Sequence, residues 1–160
     1  MGPAFTSTLT STPYRERVTD LVDELAGTWH IVATTFPMWL DGSRTNPTFT
    51  YTPRGDVMDD DVAFRTRRGR ARHIRGVDTR TGPRSFRWRG AGLLRPLRSD
   101  WRVSHLASDS SWAVVEFDRT MFTPAGVDVI TRARRPSAAT WAEVDRVLAD
   151  LGHDGVTRIG

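Results

Sequence analysis

Residues 27–134 repeat one pattern eight times: a short run in which apolar and polar side chains alternate, then a cluster of Gly, Pro, Asp or Ser. Such alternation is typical of strands with one buried face, and short turns join consecutive strands antiparallel. An eight-stranded meander either stays an open sheet or closes into a barrel that can hold one small ligand. The pattern predicts strands at 28–36, 45–52, 57–66, 70–79, 84–89, 101–106, 111–117 and 127–134.

A helix is expected before the strands. In the segment TPYRERVTDLVDELAG, Thr12 can cap a helix that has Pro13 at its first position, and Gly27 follows its end. The first twelve residues are rich in Ser, Thr and Pro, which predicts a disordered tail over 1–12. One domain is therefore expected over 13–160.

A second helix is predicted after the strands. It begins at Pro136 and Ser137, covers 138–151 with its apolar residues on one face, and ends at Gly152. A short final strand is predicted over 156–159. The expected fold is all-β: an eight-stranded antiparallel up-and-down barrel with a short N-terminal helix and a C-terminal helix packed outside it.

The composition excludes several classes of protein. The 160 residues include no Cys, so disulfides and thiolate metal sites are excluded. All 23 basic residues are Arg, but 19 acidic residues nearly balance them, so the charge favours nucleic acid only weakly. No segment approaches the ~20 apolar residues of a membrane span, and the N-terminus lacks a signal-peptide pattern. A cytoplasmic protein is expected.

Three segments carry motifs that resemble the lipocalin family, in particular its bacterial and plant type. In that family a Gly-x-Trp opens the first strand, here Gly27 and Trp29, and an Arg near the end of the eighth strand packs over the Trp, here Arg132. The segment LGHDGVTRI is similar to the family's closing Gly-aromatic-Asp motif, with His153 where an aromatic is usual. The three segments are ELAGTWHIVATTF, HIRGVDTRTGPRSFRWRGAGLLRPLRSDWRVSHL and DSSWAVVEFDRTMFTPAGVDVITRARRPS.

The resemblance covers about residues 24–160, and it implies that Trp29 and Arg132 close one end of the barrel. The turns 37–44, 67–69, 90–100 and 118–125 then form the open mouth, and they are unusually apolar for loops. They either fold over to complete a core or form an apolar entrance to a pocket. In the second case four Arg residues could hold an anionic group: Arg67, Arg68, Arg95 and Arg98.

The alternation of side chains along each strand predicts which residues face the cavity. On the first strand the Trp29 face continues through Ile31, Ala33 and Thr35. If the sixth and seventh strands pair so that Trp101 lies opposite Glu116, then Glu116 points inward near the mouth. There its carboxylate would be a candidate for a raised pKa and for ligand contact. A slip of one residue would instead expose Glu116 and bury the opposite face of its strand.

The leading functional hypothesis is a binding protein for a small hydrophobic or amphipathic molecule, including an anionic one, as the resemblance implies. No cofactor is expected, and the protein is expected to be a monomer or homodimer. The residues predicted to contact the ligand are Thr35, Trp39, Phe49, Phe64, Trp88, Trp101, Val103, Val114, Met121, Phe122 and Arg67.

Two other functions stay open. Barrels of this family have been recruited as cyclases and isomerases, and Tyr51 and Glu116 are the polar pair predicted to carry such cofactor-independent catalysis. Nucleic-acid binding through the Arg-rich residues 64–75 ranks last, because it lacks a recognised motif. The His residues show no metal-ligand spacing, so no metal site is predicted.

Overall fold

The structure is a computed structural model that describes residues 20–160. The predicted tail at 1–12 and the predicted helix start at Thr12 and Pro13 lie outside this range. The elements, numbered in chain order, are helices α1 Leu21–Leu25, α2 Pro37–Leu40 and α3 Ala138–Asp150, a 3-10 turn at Gly92–Leu94, and strands β1 Gly27–Thr34, β2 Arg44–Arg54, β3 Val57–Thr66, β4 Ala71–Arg80, β5 Ser85–Gly90, β6 Arg98–Leu106, β7 Trp112–Phe117, β8 Gly126–Thr131 and β9 Thr157–Arg158.

The first eight strands form a closed antiparallel up-and-down barrel. Each strand pairs with the next along the chain, and β1 pairs with both β8 and β2, which closes the sheet. The short β9 extends the sheet beside the C-terminal end of β1, where Ala33 lies opposite Arg158. The predicted fold class is confirmed, and closure leaves the eight barrel strands without a free edge.

The helix α3 lies outside the barrel, as the sequence predicts. The Ser137 hydroxyl accepts a hydrogen bond from the Thr140 backbone N–H at 3.1 Å, which caps the first turn. Gly152, which has a φ of +77°, ends the helix. Among residues 20–160, no helix is both long and apolar enough to cross a membrane.

The end of the barrel near α1 is closed by the predicted pair. The Arg132 guanidinium lies 3.7 Å from the Trp29 ring centroid and donates hydrogen bonds to the backbone oxygens of Glu24 and Thr28 at 2.8 and 3.2 Å. The Trp29 indole N–H donates to the Leu25 oxygen at 2.8 Å. The cation–π contact and the three hydrogen bonds therefore seal this end with α1.

A bulge at Val32 changes which residues of β1 face inward. Ile31 pairs with Ile130, but Ala33 pairs with Val129, so Val32 is an extra residue and the alternation shifts by one. The prediction that Ala33 and Thr35 line the interior is therefore wrong. Ala33 packs in a cluster with the α3 side chains, and the Thr35 hydroxyl accepts a hydrogen bond from the Val127 N–H at 2.9 Å.

The predicted pairing of the sixth and seventh strands is also wrong by one residue. Trp101 lies opposite Phe117, not Glu116, and Val103 lies opposite Val115, not Val114. The cause lies in the turn and in a bulge: next to the turn the pairing is displaced by two residues, since His105 lies opposite Val114, and the extra residue Ser104 then takes back one of the two. The structure therefore has the one-residue slip that the sequence left open, which buries the face of the seventh strand opposite to Glu116.

Two apolar clusters result from these registers. The inner cluster fills the barrel and includes Ala113 and Val115 from β7. The outer cluster lies between the barrel wall and α3, where Val114 packs with Val144 and Leu148. Because both faces of β7 are buried, its side chains carry no polar alternation that would reveal the register.

Candidate functional site

A cavity of about 210 Å³ lies at the open end of the barrel. Its walls come from the upper halves of the strands and from three of the four predicted mouth segments. The apolar residues that line it are Phe36, Met38, Trp39, Phe49, Val62, Ile74, Trp88, Leu97, Phe117 and Phe122, and the polar ones are Arg98, Ser99, Thr120, Thr123 and Asp128.

Stacked aromatic rings fill the barrel below this cavity. The Phe86 and Trp101 rings stack at 4.7 Å between centroids, and the Trp101 and Tyr51 rings stack at 5.6 Å. All three residues are almost fully buried. The lower barrel is thus a packed core, and free space remains at the mouth.

Asp128 is the buried carboxyl group of the cavity. It lies on β8 and is 1% exposed. The Thr34 hydroxyl donates to its Oδ1 at 2.6 Å, and the same hydroxyl accepts from the Phe36 backbone N–H at 2.9 Å. Burial raises the pKa of Asp128 to about 7, although the hydrogen bond from Thr34 acts in the opposite direction.

Two further carboxyl groups lie deeper in the barrel. Asp60 and Asp78 are both buried, and they lie close enough that each perturbs the pKa of the other. The Trp101 indole N–H donates to Asp78 Oδ1 at 2.8 Å. Burial and the neighbouring Asp78 raise the pKa of Asp60, and burial raises the pKa of Asp78. Burial, followed by the nearby carboxyl charges, also raises the pKa of the Tyr51 hydroxyl.

Solved structures with the same architecture decide the fold. Apocrustacyanin A1 from lobster matches with a TM-score of 0.66 at 11% identity, over 85% of this chain and 77% of that chain. The siderocalin Ex-FABP matches with a TM-score of 0.64 at 18% identity, over 85% and 93% of the two chains. The chain has the lipocalin fold. Insecticyanin from the tobacco hornworm Manduca sexta matches with a TM-score of 0.67 at 15% identity, over 87% and 79% of the two chains.

The likeness to lipocalins lies in the structure and only faintly in the sequence. No protein-family model matches the chain, and no curated protein matches it significantly. In this chain the closed barrel and the Trp29 and Arg132 pair that seals it agree with what the sequence predicted.

The lipocalin cavity brings together part of the predicted ligand-contact set. Four members of the set line it: Trp39, Phe49, Trp88 and Phe122. Phe64, Trp101, Val103 and the predicted catalytic Tyr51 pack in the inner cluster without lining the cavity. Four others lie elsewhere: Thr35, Arg67, Val114 and Met121.

Glu116 lies outside the lipocalin barrel, so the prediction that it points inward is wrong. The Ser104 hydroxyl donates a hydrogen bond to it, and its Oε1 lies 2.8 Å from His153 Nε2 and 3.2 Å from Arg102. Burial alone would raise the pKa of Glu116, but the Ser104 hydrogen bond and the Arg102 charge hold it below the usual value. The bulge at Ser104 is the reason, because it places Trp101 and Val103 opposite Phe117 and Val115, which puts Glu116 on the outer face.

Some apolar residues of the mouth segments complete a core, and others form an accessible entrance to the cavity. Trp39 is buried, and its ring lies 5.6 Å from the Phe64 ring, which completes a core. Leu93 and Met121 are almost fully exposed, and Phe122 lines the cavity while remaining 75% exposed. The entrance to the cavity is therefore apolar and accessible.

The sequence analysis missed the three inward carboxyl groups of Asp60, Asp78 and Asp128. Asp60 could have been found, because the face of β3 that carries the predicted ligand contact Phe64 continues back to it in steps of two. Asp128 gave no such signal, because Val127 and Val129 beside it are also buried. Among residues 20–160, no cluster of three or more His, Asp or Glu side chains is arranged to hold a metal ion.

Proposed function

We propose that this protein binds a small hydrophobic or amphipathic molecule in the cavity at the mouth of the barrel. The observation that carries the proposal is an accessible apolar cavity that the protein's own side chains leave unfilled. The lipocalin fold supports it, since one protein with a similar structure, the siderocalin Ex-FABP, functions through dual ligand specificities.

The size of the cavity favours a small ligand. Its volume of about 210 Å³ lies below the range of roughly 300–1,000 Å³ that is common for ligand sites. The aromatic plug formed by Phe86, Trp101 and Tyr51 prevents a ligand from extending to the closed end. A molecule with one or two rings and a short chain fits this space better than a long fatty acid.

Binding is better supported than the cyclase or isomerase alternative. That alternative relied on Tyr51 and Glu116 acting together, and the two residues lie on opposite sides of the barrel wall. A cytoplasmic location and a monomeric or homodimeric state stay predictions of the sequence.

The proposal is tested by filling the cavity. Ile74 lines it, while Val77 is on the outer face of the same strand, so Ile74→Trp and Val77→Trp form a matched pair. Propylbenzene is titrated into each folded protein by isothermal titration calorimetry. We expect the wild-type protein and Val77→Trp to bind, and Ile74→Trp to bind at least about tenfold more weakly because the space is occupied. No binding by the wild-type protein, or equal binding by both variants, would overturn the proposal.

A further inference from the structure

We propose that the ligand carries a protonated amine, which Asp128 binds as a carboxylate inside the cavity. The inference deepens the proposed function and rests on it. Four observations carry it: the position of the Asp128 carboxyl group, the absence of a partner charge among residues 20–160, the aromatic walls around it, and the exposure of the Arg side chain that lines the cavity.

The Asp128 carboxyl group is held in a fixed orientation with one oxygen available. Thr34 donates to Oδ1 and is itself fixed by the Phe36 backbone N–H. Among residues 20–160, no hydrogen bond reaches Oδ2. Because Asp128 lines the cavity, that oxygen is the natural acceptor for a donor on the ligand.

The charge of Asp128 lacks a partner within the described part of the chain. No Arg or His between residues 20 and 160 forms an ion pair with it. The other titratable groups that face the barrel interior near it are Tyr51, Asp60 and Asp78, which supply no positive charge. A buried carboxylate is costly unless a cation or a proton neutralises it. An ammonium group on the ligand would supply that charge.

The walls of the cavity suit an ammonium group and the apolar body attached to it. Aromatic rings from several strands line the same space, including Phe49, Trp88 and Phe117. The face of an aromatic ring attracts a cation, and the effect is larger where water is excluded. The same rings provide apolar area for a phenyl or indole group.

The Arg residues that suggested an anionic ligand contribute little to this cavity. Of Arg67, Arg68, Arg95 and Arg98, the last alone lines it. Arg98 is exposed at the rim, where solvent screens its charge. Asp128 is 1% exposed, so its charge acts through a lower effective dielectric constant.

The experiment compares three probes of similar size by isothermal titration calorimetry at pH 8: 2-phenylethylamine, 3-phenylpropionate and propylbenzene. The proteins are the wild type, Asp128→Asn, and the control Asp118→Asn, which removes an exposed mouth carboxylate that pairs with Arg102. We expect 2-phenylethylamine to bind the wild type most tightly. Asp128→Asn should weaken that binding about tenfold or more, leave propylbenzene unchanged, and differ from Asp118→Asn, which should change neither.

The pH dependence gives a second readout. The amine stays protonated between pH 5.5 and 8.5, whereas Asp128 and the deeper Asp78, both with a pKa raised to about 7, change charge. Comparison with Asp128→Asn isolates the part that Asp128 contributes. The affinity for 2-phenylethylamine should therefore rise with pH, by about 30-fold over this range, in proportion to the ionised fraction. A ligand held by the protonated acid would show the opposite trend.

The outcomes separate this inference from the proposed function. If propylbenzene and 2-phenylethylamine both fail to bind, the proposed function fails. If propylbenzene binds but the amine binds no more tightly, or if 3-phenylpropionate binds best, the cavity is confirmed and the amine inference is overturned. Unchanged amine binding by Asp128→Asn, with the variant folded, would also overturn it.

Discussion

Replacing Asp128 by Asn should stabilise the protein, and the gain should grow with pH. The folded-state pKa of Asp128 is raised from an ordinary 3.8 to about 7. The folded protein therefore binds a proton that the unfolded chain has already lost above pH 4. Stability must fall as pH rises from the unfolded to the folded pKa, and then level off.

The size of the effect follows from the shift. Each pKa unit corresponds to about 1.4 kcal/mol, so ionised Asp128 lowers the free energy of unfolding by about 4 kcal/mol above pH 7. Asn keeps the shape and can still accept the Thr34 hydroxyl, but it does not titrate. Between pH 5 and pH 8.5 the wild-type protein should lose about 3 kcal/mol more stability than Asp128→Asn.

Urea denaturation of both proteins at pH 5, 7 and 8.5, without ligand, measures this difference. For a chain of this size it corresponds to a shift in Tm of roughly 6–12 °C. Asp60 and Asp78 are present in both proteins, so their contributions cancel in the comparison. Equal pH dependence in the two proteins, or a variant that is less stable at pH 8.5, would refute the reasoning.

Three further changes test other parts of the structure by urea denaturation. Arg132→Ala removes the stack on Trp29 and two hydrogen bonds, and should cost about 2–4 kcal/mol. Glu116→Gln should lower the free energy of unfolding by about 1 kcal/mol or less at pH 7. This loss should disappear as pH falls through the lowered pKa of Glu116 in the folded protein. The variant should bind propylbenzene as the wild-type protein does. Gly126→Ala should cost about 1–3 kcal/mol, because an added Cβ would lie 2.3 Å from the Phe36 ring.

The sequence predicted the fold well because its strongest signals are local. The alternation located all eight barrel strands, and the glycine and serine caps located α3. The pairing of Trp29 with Arg132 is a long-range contact, yet the sequence predicted it because the family resemblance places both residues at fixed ends of neighbouring strands.

The interior could be predicted only where one face of a strand is polar. On β3 the two faces differ, and the predicted ligand contact Phe64 packs against the barrel core together with Val62 from the same face. On β1 the bulge at Val32 reversed the alternation, and a bulge is a matter of pairing geometry that composition does not reveal. On β7 the helix α3 buries the outer face, so both faces carry apolar residues such as Val114 and Val115. The sequence therefore contained no pattern that showed which way Glu116 points.

Methyl chemical shifts test the central claim, that the mouth cavity is the ligand site, most directly. In a titration of the wild-type protein with propylbenzene followed by ¹H–¹³C NMR, ring currents should shift the methyl groups of Val62, Ile74 and Met38, which line or border the cavity. The methyl groups of Val144 and Leu148 in the outer cluster are the internal control and should not move. Shifts in the outer cluster with none at Val62 and Ile74 would contradict the account.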